Sequence, residues 1–285
     1  MKGSHQCVGR TARRSSRKVG FESLETRDLF AGITYVHGTI GDNQILITSG
    51  PNGAQVQVDG RNAYSINSGT VVVRAYSGDD GVKLQGTAAP GMRFVFVMAH
   101  GNDLVDASEY RGGGVRMFGG FGNDLLFGGA GKDFIVGGAD NDRIDGGSEA
   151  DFLDGGLGND HILGGVGAFR DFMLGGAGND VLRGGAGRDY MFGEDGNDTL
   201  RGGTADDLLV GGNGTDTLLG QIGHDAYFGG LGSDTLIDAD LGSNYLPGNS
   251  GEDVVQLPGA VRSNITIIDP ALRWGSIRNW RRPSF

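Results

Sequence analysis

Gly119-Gly120-Phe121-Gly122-Asn123-Asp124-Leu125-Leu126-Phe127 is a nine-residue frame that occurs thirteen times up to residue 237. Later copies open at Gly128, Gly137, Gly146, Gly155, Gly164, Gly175, Gly184, Gly193, Gly202, Gly211, Gly220 and Gly229. Position one is glycine in every copy, position two in eleven and position four in ten. Position six is always aspartate: Asp124, Asp133, Asp142, Asp151, Asp160, Asp171, Asp180, Asp189, Asp198, Asp207, Asp216, Asp225 and Asp234. Position eight is always apolar or aromatic, from Leu126 and Ile135 to Tyr227 and Leu236.

Each constant has a physical reading. Glycines at one, two and four allow positive φ and a tight curl that turns carbonyls into one concavity, and the aspartate adds a charged oxygen there. An all-oxygen loop suits a hard cation, and calcium tolerates irregular geometry better than magnesium does. Positions seven to nine alternate outward, inward, outward, so position eight enters a core while its neighbours face away. With one inward residue in nine, the core is thin, and aspartates stacked along an edge repel one another. Bound calcium reverses that repulsion, so calcium is expected to fold the region. The alternative is a metal-free solenoid in which the aspartates only bond turn amides. An invariant acid argues against it, because asparagine or serine would serve a turn equally well.

The frame resembles the Gly-Gly-x-Gly-x-Asp-x-U-x nonapeptide of RTX, or haemolysin-type, calcium-binding proteins. That resemblance implies an all-β chain: a right-handed parallel β-roll with an N-terminal β-strand cap, two nonapeptides per turn, and several calcium ions between stacked loops. Carried over residue by residue, one edge holds Asp124, Asp142, Asp160, Asp180, Asp198, Asp216 and Asp234. The other holds Asp133, Asp151, Asp171, Asp189, Asp207 and Asp225. Asp140, Glu149 and Ala205 depart from the pattern at position four, and Glu194 and Gln221 at position two. The repeat opening at Gly164 carries two extra residues near Ala168 and Phe169.

Outside the frame the chain divides into a basic leader (1–31), a β-rich segment grading into the roll (32–110), the roll (111–240) and degenerate repeats with a tail (241–285). Strands are expected at 33–36, 44–48, 54–59, 63–66 and 71–75, between Gly, Asn, Asp and Pro turns. His100-Gly101-Asn102-Asp103 and Ser77-Gly78-Asp79-Asp80 are irregular relatives of the frame, with Asp103 a further metal ligand and Asp80 a weaker one. A closing strand is expected at 264–268, and the last sixteen residues, with Trp274, Trp280 and four arginines, are placed as a docked cap. Near the start, Phe21-Glu22-Ser23-Leu24-Glu25-Thr26-Arg27 resembles the Leu-Glu-Pro-Arg type sequence of many planctomycete extracytoplasmic proteins, with threonine in place of proline.

The 285 residues include 57 glycines but only six prolines and no three-residue glycine period, which excludes collagen. The net charge is −11, yet residues 1–30 and 270–285 each carry +4, leaving −19 between them. Such a middle repels nucleic acid and attracts cations. Cys7 is the single cysteine, so no internal disulfide forms, and no apolar run is long enough to span a membrane.

Consecutive repeats alternate between two sheets, which sorts positions seven and nine onto two outer faces. One face gathers Phe134, Phe152, Phe172, Tyr190, Phe192 and Phe228 and reads as an exposed apolar ladder needing a cover: a second copy, the terminal segments or a surface polymer. The opposite face carries Arg143, Asp145, His161, Arg183, Thr199, Arg201, Thr217 and Thr235.

No catalytic constellation is legible. The five histidines form no His-Glu-x-x-His, and Gly-x-Ser-x-Gly is absent. The sequence therefore reads as a secreted or cell-surface calcium-binding structural or adhesive module. Sites of roughly 0.1 to 1 mM affinity, as in extracellular modules, stay empty at cytosolic calcium and fill outside the cell. The alternative is a carbohydrate-active or other secreted enzyme carrying an RTX stabilising domain.

Overall fold

A computed structural model describes residues 33–61, 64–87, 91–237, 244–246 and 254–256. The leader, the expected strand at 264–268 and the tail lie outside them. The described chain is all β, with no helix, and its parallel strands stack into a β-solenoid of about 8 turns.

Two sheets face each other. An 11-stranded sheet runs from Ile33–His37 to Asn244–Leu246, and a 13-stranded sheet ends at Val254–Gln256. In the repeats, neighbours in each sheet are two nonapeptides apart and pair in parallel, Leu153 with Met173 and Leu182 with Leu200, as two repeats per turn require. The parallel stacking begins well before the regular frame: Ile33–His37 pairs with Thr70–Arg74, and Gln44–Gly50 with Gly81–Thr87. The expected N-terminal strands are all present. Gln44–Gly50, Gly53–Val58 and Tyr64–Ile66 form an antiparallel meander that closes one end of the larger sheet, an arrangement that keeps a solenoid end from recruiting further strands.

Nine of the thirteen repeat strands run from position seven through position three of the next copy, as in Phe172–Ala177 and Thr199–Thr204, and the other four span positions seven to nine alone, as in Leu125–Phe127. All thirteen position-eight side chains are fully buried between the sheets. The core is less sparse than one residue in nine, because position-one glycines and position-six aspartates also face inward. N-terminal strands pack more densely: Ile45 and Ile47, Val71 and Val73, and Phe94 and Phe96 each bury two apolar side chains per strand.

The glycines do two separate jobs. Positions two and four take positive φ, Gly120 at 113° and Gly122 at 115° for example, in every copy except the one opening at Gly128. Position one does not; a Cβ there would collide with the position-six aspartate of the same copy, so its glycine is required by space and not by φ. Where positions two and four are not glycine the curl persists: Asp140, Glu149, Glu194, Ala205 and Gln221 all hold φ between 72° and 80°. The two extra residues after Gly167 leave the stack in register, since Asp151 still meets Asp171 across a gap of 20 residues. A non-glycine residue in this region costs on the order of 1 kcal/mol. Ala205→Gly is accordingly expected to raise the stability of the calcium-loaded chain by about 1 kcal/mol, read as a higher urea midpoint with an unchanged slope.

Candidate metal centre

The strands end where the chain turns from one sheet to the other, and there the invariant aspartate is folded inward, nearly fully buried. Its Oδ1 accepts the backbone N–H of the aspartate one turn earlier. On one edge Asp103 N–H reaches Asp124 at 2.8 Å, and the series continues through Asp142, Asp160, Asp180, Asp198 and Asp216 to Asp234 at 2.7–2.9 Å. On the other edge it begins with Val115 N–H on Asp133 and runs through Asp151, Asp171, Asp189 and Asp207 to Asp225. The two sets assigned from the repeat period are thus the two ladders. Asp80 joins the first ladder on equal terms, receiving Asn43 N–H and donating its own N–H to Asp103, both at 2.7 Å.

Turn chemistry accounts for only half of each carboxylate. The second oxygen, Oδ2, is buried without a hydrogen-bond partner in Asp80, Asp103, Asp124, Asp142, Asp151, Asp160, Asp180, Asp189, Asp198, Asp207 and Asp216. Asp133 differs, since its Oδ2 accepts the Gly129 N–H at 2.7 Å. A methyl group built on Gly146 would lie 2.5 Å from Asp151 Oδ2 and 2.6 Å from the Gly164 carbonyl oxygen; on Gly175 the same oxygens, from Asp180 and Gly193, are 2.5 and 2.7 Å away. Carboxylate and next-turn carbonyl therefore converge over eleven of the thirteen position-one glycines, all but Gly220 and Gly229. Neither oxygen carries a proton when the acid is ionised, so the pair lacks a positive partner.

That deficit appears in the acidities. Burial pushes Asp151 up to about 9, opposed by the Asp133 N–H and reinforced by the charges of Asp133 and Asp171. Asp142 and Asp207 are raised to about 8 for the same reasons. Asp124, Asp133, Asp171 and Asp216 reach about 7, and Asp80, Asp160, Asp180, Asp189 and Asp198 about 6, again chiefly through burial.

The donors fit a hard cation: they are oxygens only, carboxylate and carbonyl, with no thiolate or imidazole among them. No group of three or more His, Cys, Asp or Glu side chains is assembled among the described residues. The aspartates stack singly, one per turn on each edge, so an ion held here must draw on backbone carbonyls as well.

A further ladder on the first edge was not anticipated. Position five is asparagine in the first five of the seven repeats on this edge, and each Oδ1 accepts the N–H of position five one turn later: Asn141 on Asn123 at 3.1 Å, Asn159 on Asn141 at 2.8 Å, Asn179 on Asn159 at 2.7 Å, Asn197 on Asn179 at 2.8 Å and Thr215 on Asn197 at 2.7 Å. It runs opposite in sense to the aspartate ladder behind it. The other edge has Lys132, Ala150, Arg170, Arg188, Asp206 and His224 at that position, with an exposed Arg188–Asp206 ion pair at 2.6 Å. The signal was present in the sequence, but only when odd and even repeats are read separately.

The six aromatic residues expected on an exposed face share one outer face but do not form an open apolar surface. Phe134 and Phe152 stack at 4.9 Å and 5°, Phe152 and Phe172 at 5.5 Å and 7°, and Phe192 leans on Phe172 at 5.3 Å. Rings set side by side at the strand separation cover one another's faces; Phe152 is 7 % exposed and Phe134, Phe172, Tyr190, Phe192 and Phe228 are half-buried. Arg170 lies over the Tyr190 ring at 5.0 Å. Most of the exposed large apolar side chains in the repeats stand instead at position three, where strands end and the chain starts to turn, as Phe121, Leu157, Ile222 and Leu231, or between strands, as Val166 and Phe169.

The family model of the RTX calcium-binding nonapeptide repeat matches the chain four times, at residues 116–144, 136–168, 166–200 and 201–236. No curated protein matches. The centre of the chain is thus a calcium-binding repeat array, and its aspartate stack suits several calcium ions. No helix among the described residues is long and apolar enough to cross a membrane.

Two outcomes follow for solution experiments. The raised aspartates stabilise the metal-free roll in their protonated form, an effect complete below the ordinary value of 3.8 and lost as pH rises through about 6 to about 9. In EDTA the strand signal in circular dichroism is expected to fall across that range, whereas saturating calcium flattens the profile and calcium binding releases protons to an indicator dye. Separately, Asn141→Ala with Asn159→Ala is expected to destabilise the calcium-loaded chain by about 1–3 kcal/mol in urea, against less than about 1 kcal/mol for Arg188→Ala.

Proposed function

We propose that the chain is a structural or adhesive module that is exported and folds outside the cell as calcium fills its two edges. Asp103, Asp124, Asp133, Asp142, Asp151, Asp160, Asp171, Asp180, Asp189, Asp198, Asp207, Asp216, Asp225 and Asp234 are the side chains assigned to hold the ions, with loop carbonyls completing each site. The observation that carries this reading is the row of buried Oδ2 atoms that face carbonyl oxygens with no hydrogen-bond partner. A divalent cation would neutralise two edges of stacked charge and give those oxygens the positive partner they lack. Its role is structural: it orders loops and leaves no water-activating or group-transfer step to the chain.

Export is supported by the affinity class of such loops, which stay empty at cytosolic calcium, and by the leader's resemblance to extracytoplasmic proteins. An adhesive role is supported by the two extended sheets of the roll, whose parallel register sets outward side chains in rows at strand spacing.

The test is a calcium titration of the full chain followed by far-ultraviolet circular dichroism and sedimentation velocity. Strand signal and compaction should rise together and reverse with EDTA, and Asp180→Asn with Asp198→Asn should shift the midpoint to higher calcium. A chain equally compact and strand-rich in EDTA at neutral pH would refute the reading.

A further inference from the structure

The larger sheet has an outer face whose charge runs against that of the molecule. Arg183 and Arg201 are register partners on adjacent strands, both exposed, so two guanidiniums stand one strand apart, about 4.8 Å. Their row continues into Leu163 and Leu219, and the row beside it holds Val181 and Thr199, none of them charged. Toward the N-terminus, Arg143 and His161 are likewise register partners, and His161 Nδ1 is buried without a partner. Asp145, two residues from Arg143, is the acid on this part of the face, and the two do not reach ion-pair distance; none of the three arginines forms an ion pair with a described residue. Toward the C-terminus, Thr199, Thr217 and Thr235 line up strand by strand.

Like charges on neighbouring strands destabilise a sheet unless something lies between them. In a chain whose middle carries −19, a bare arginine pair is an isolated positive site. The planar guanidinium fork matches carboxylate oxygens two at a time. Flanking threonine hydroxyls supply donors and acceptors for sugar hydroxyls. A nucleic acid fits less well, because its densely charged backbone would be repelled by the acidic edges on either side of the face.

We propose that this face, centred on Arg183 and Arg201 and extended by Arg143, His161 and the threonine row, binds a linear carboxylated polysaccharide. The polymer lies along the solenoid axis, where successive carboxylates meet cations at intervals set by the strand separation. This names the partner of the adhesive module proposed above and rests on that reading, since the face exists only once the roll has folded.

The probe is fluorescein-labelled hexagalacturonate, too short to be gelled by calcium, titrated with the calcium-loaded full chain and followed by anisotropy in dilute and concentrated salt. Binding is expected to weaken with salt and to weaken about ten-fold or more in Arg183→Gln/Arg201→Gln, with part of it restored in Arg183→Lys/Arg201→Lys. Circular dichroism on the same samples should show the calcium response intact in every variant. Undiminished binding by the glutamine variant, equal binding of neutral maltohexaose, tighter binding of a single-stranded DNA dodecamer, or no binding by a chain that folds with calcium would each overturn the assignment. A chain that fails to respond to calcium would overturn the module reading itself.

Discussion

One carboxylate is buried in each half-turn of this solenoid, and the packing of the repeats depends on how its two oxygens are satisfied. Oδ1 is committed to the amide of the preceding turn, which fixes the axial register of the loops. Oδ2 is left facing the carbonyl of the following turn. An asparagine there could meet the first demand and would offer its amide group to the second. Aspartate leaves a charge instead, and that charge makes the folded state conditional on a cation or a proton. Turn-amide bonding and metal binding, alternatives when only the sequence is read, are here divided between the two oxygens of one side chain.

The two edges resolve that condition differently. Behind the asparagine row, each loop is tied twice, once inward by aspartate and once outward by asparagine, with opposite donor directions. A loop on the other edge has its aspartate and a mixture of charged side chains. Departures from glycine occur on both edges, at Asp140 and Glu194 on one and at Glu149, Ala205 and Gln221 on the other, and the backbone absorbs each without leaving the positive-φ region. The curl is therefore imposed by the stack, and glycine lowers its cost without being its cause.

Much of this was legible in the sequence, for a physical reason: a nine-residue period leaves little freedom in which residues share an edge, so both aspartate rows and the buried position-eight column followed from counting. The burial of the aspartate side chain was not legible, because a rotamer does not show in a repeat pattern, and counting only position eight as inward makes the core thinner than it is. Position-one glycine was assigned to backbone freedom when its role is to leave space for Asp Oδ2. The phenylalanine ladder read as open apolar surface because composition does not reveal that rings spaced by one strand cover one another.

The N-terminal strands bury pairs such as Ile45 with Ile47 and Phe94 with Phe96, whereas each repeat strand beyond them offers one apolar side chain followed by glycine. Cohesion is thus graded along the axis, strongest beside the antiparallel meander and weakest where turns depend on ions. In a linear array each turn is templated only by its neighbour, so ordering has a preferred starting point and a direction. If calcium orders the turns as proposed, the well-packed end would act as a seed on which later turns crystallise one by one, and withdrawing the metal would peel them away from the far end first.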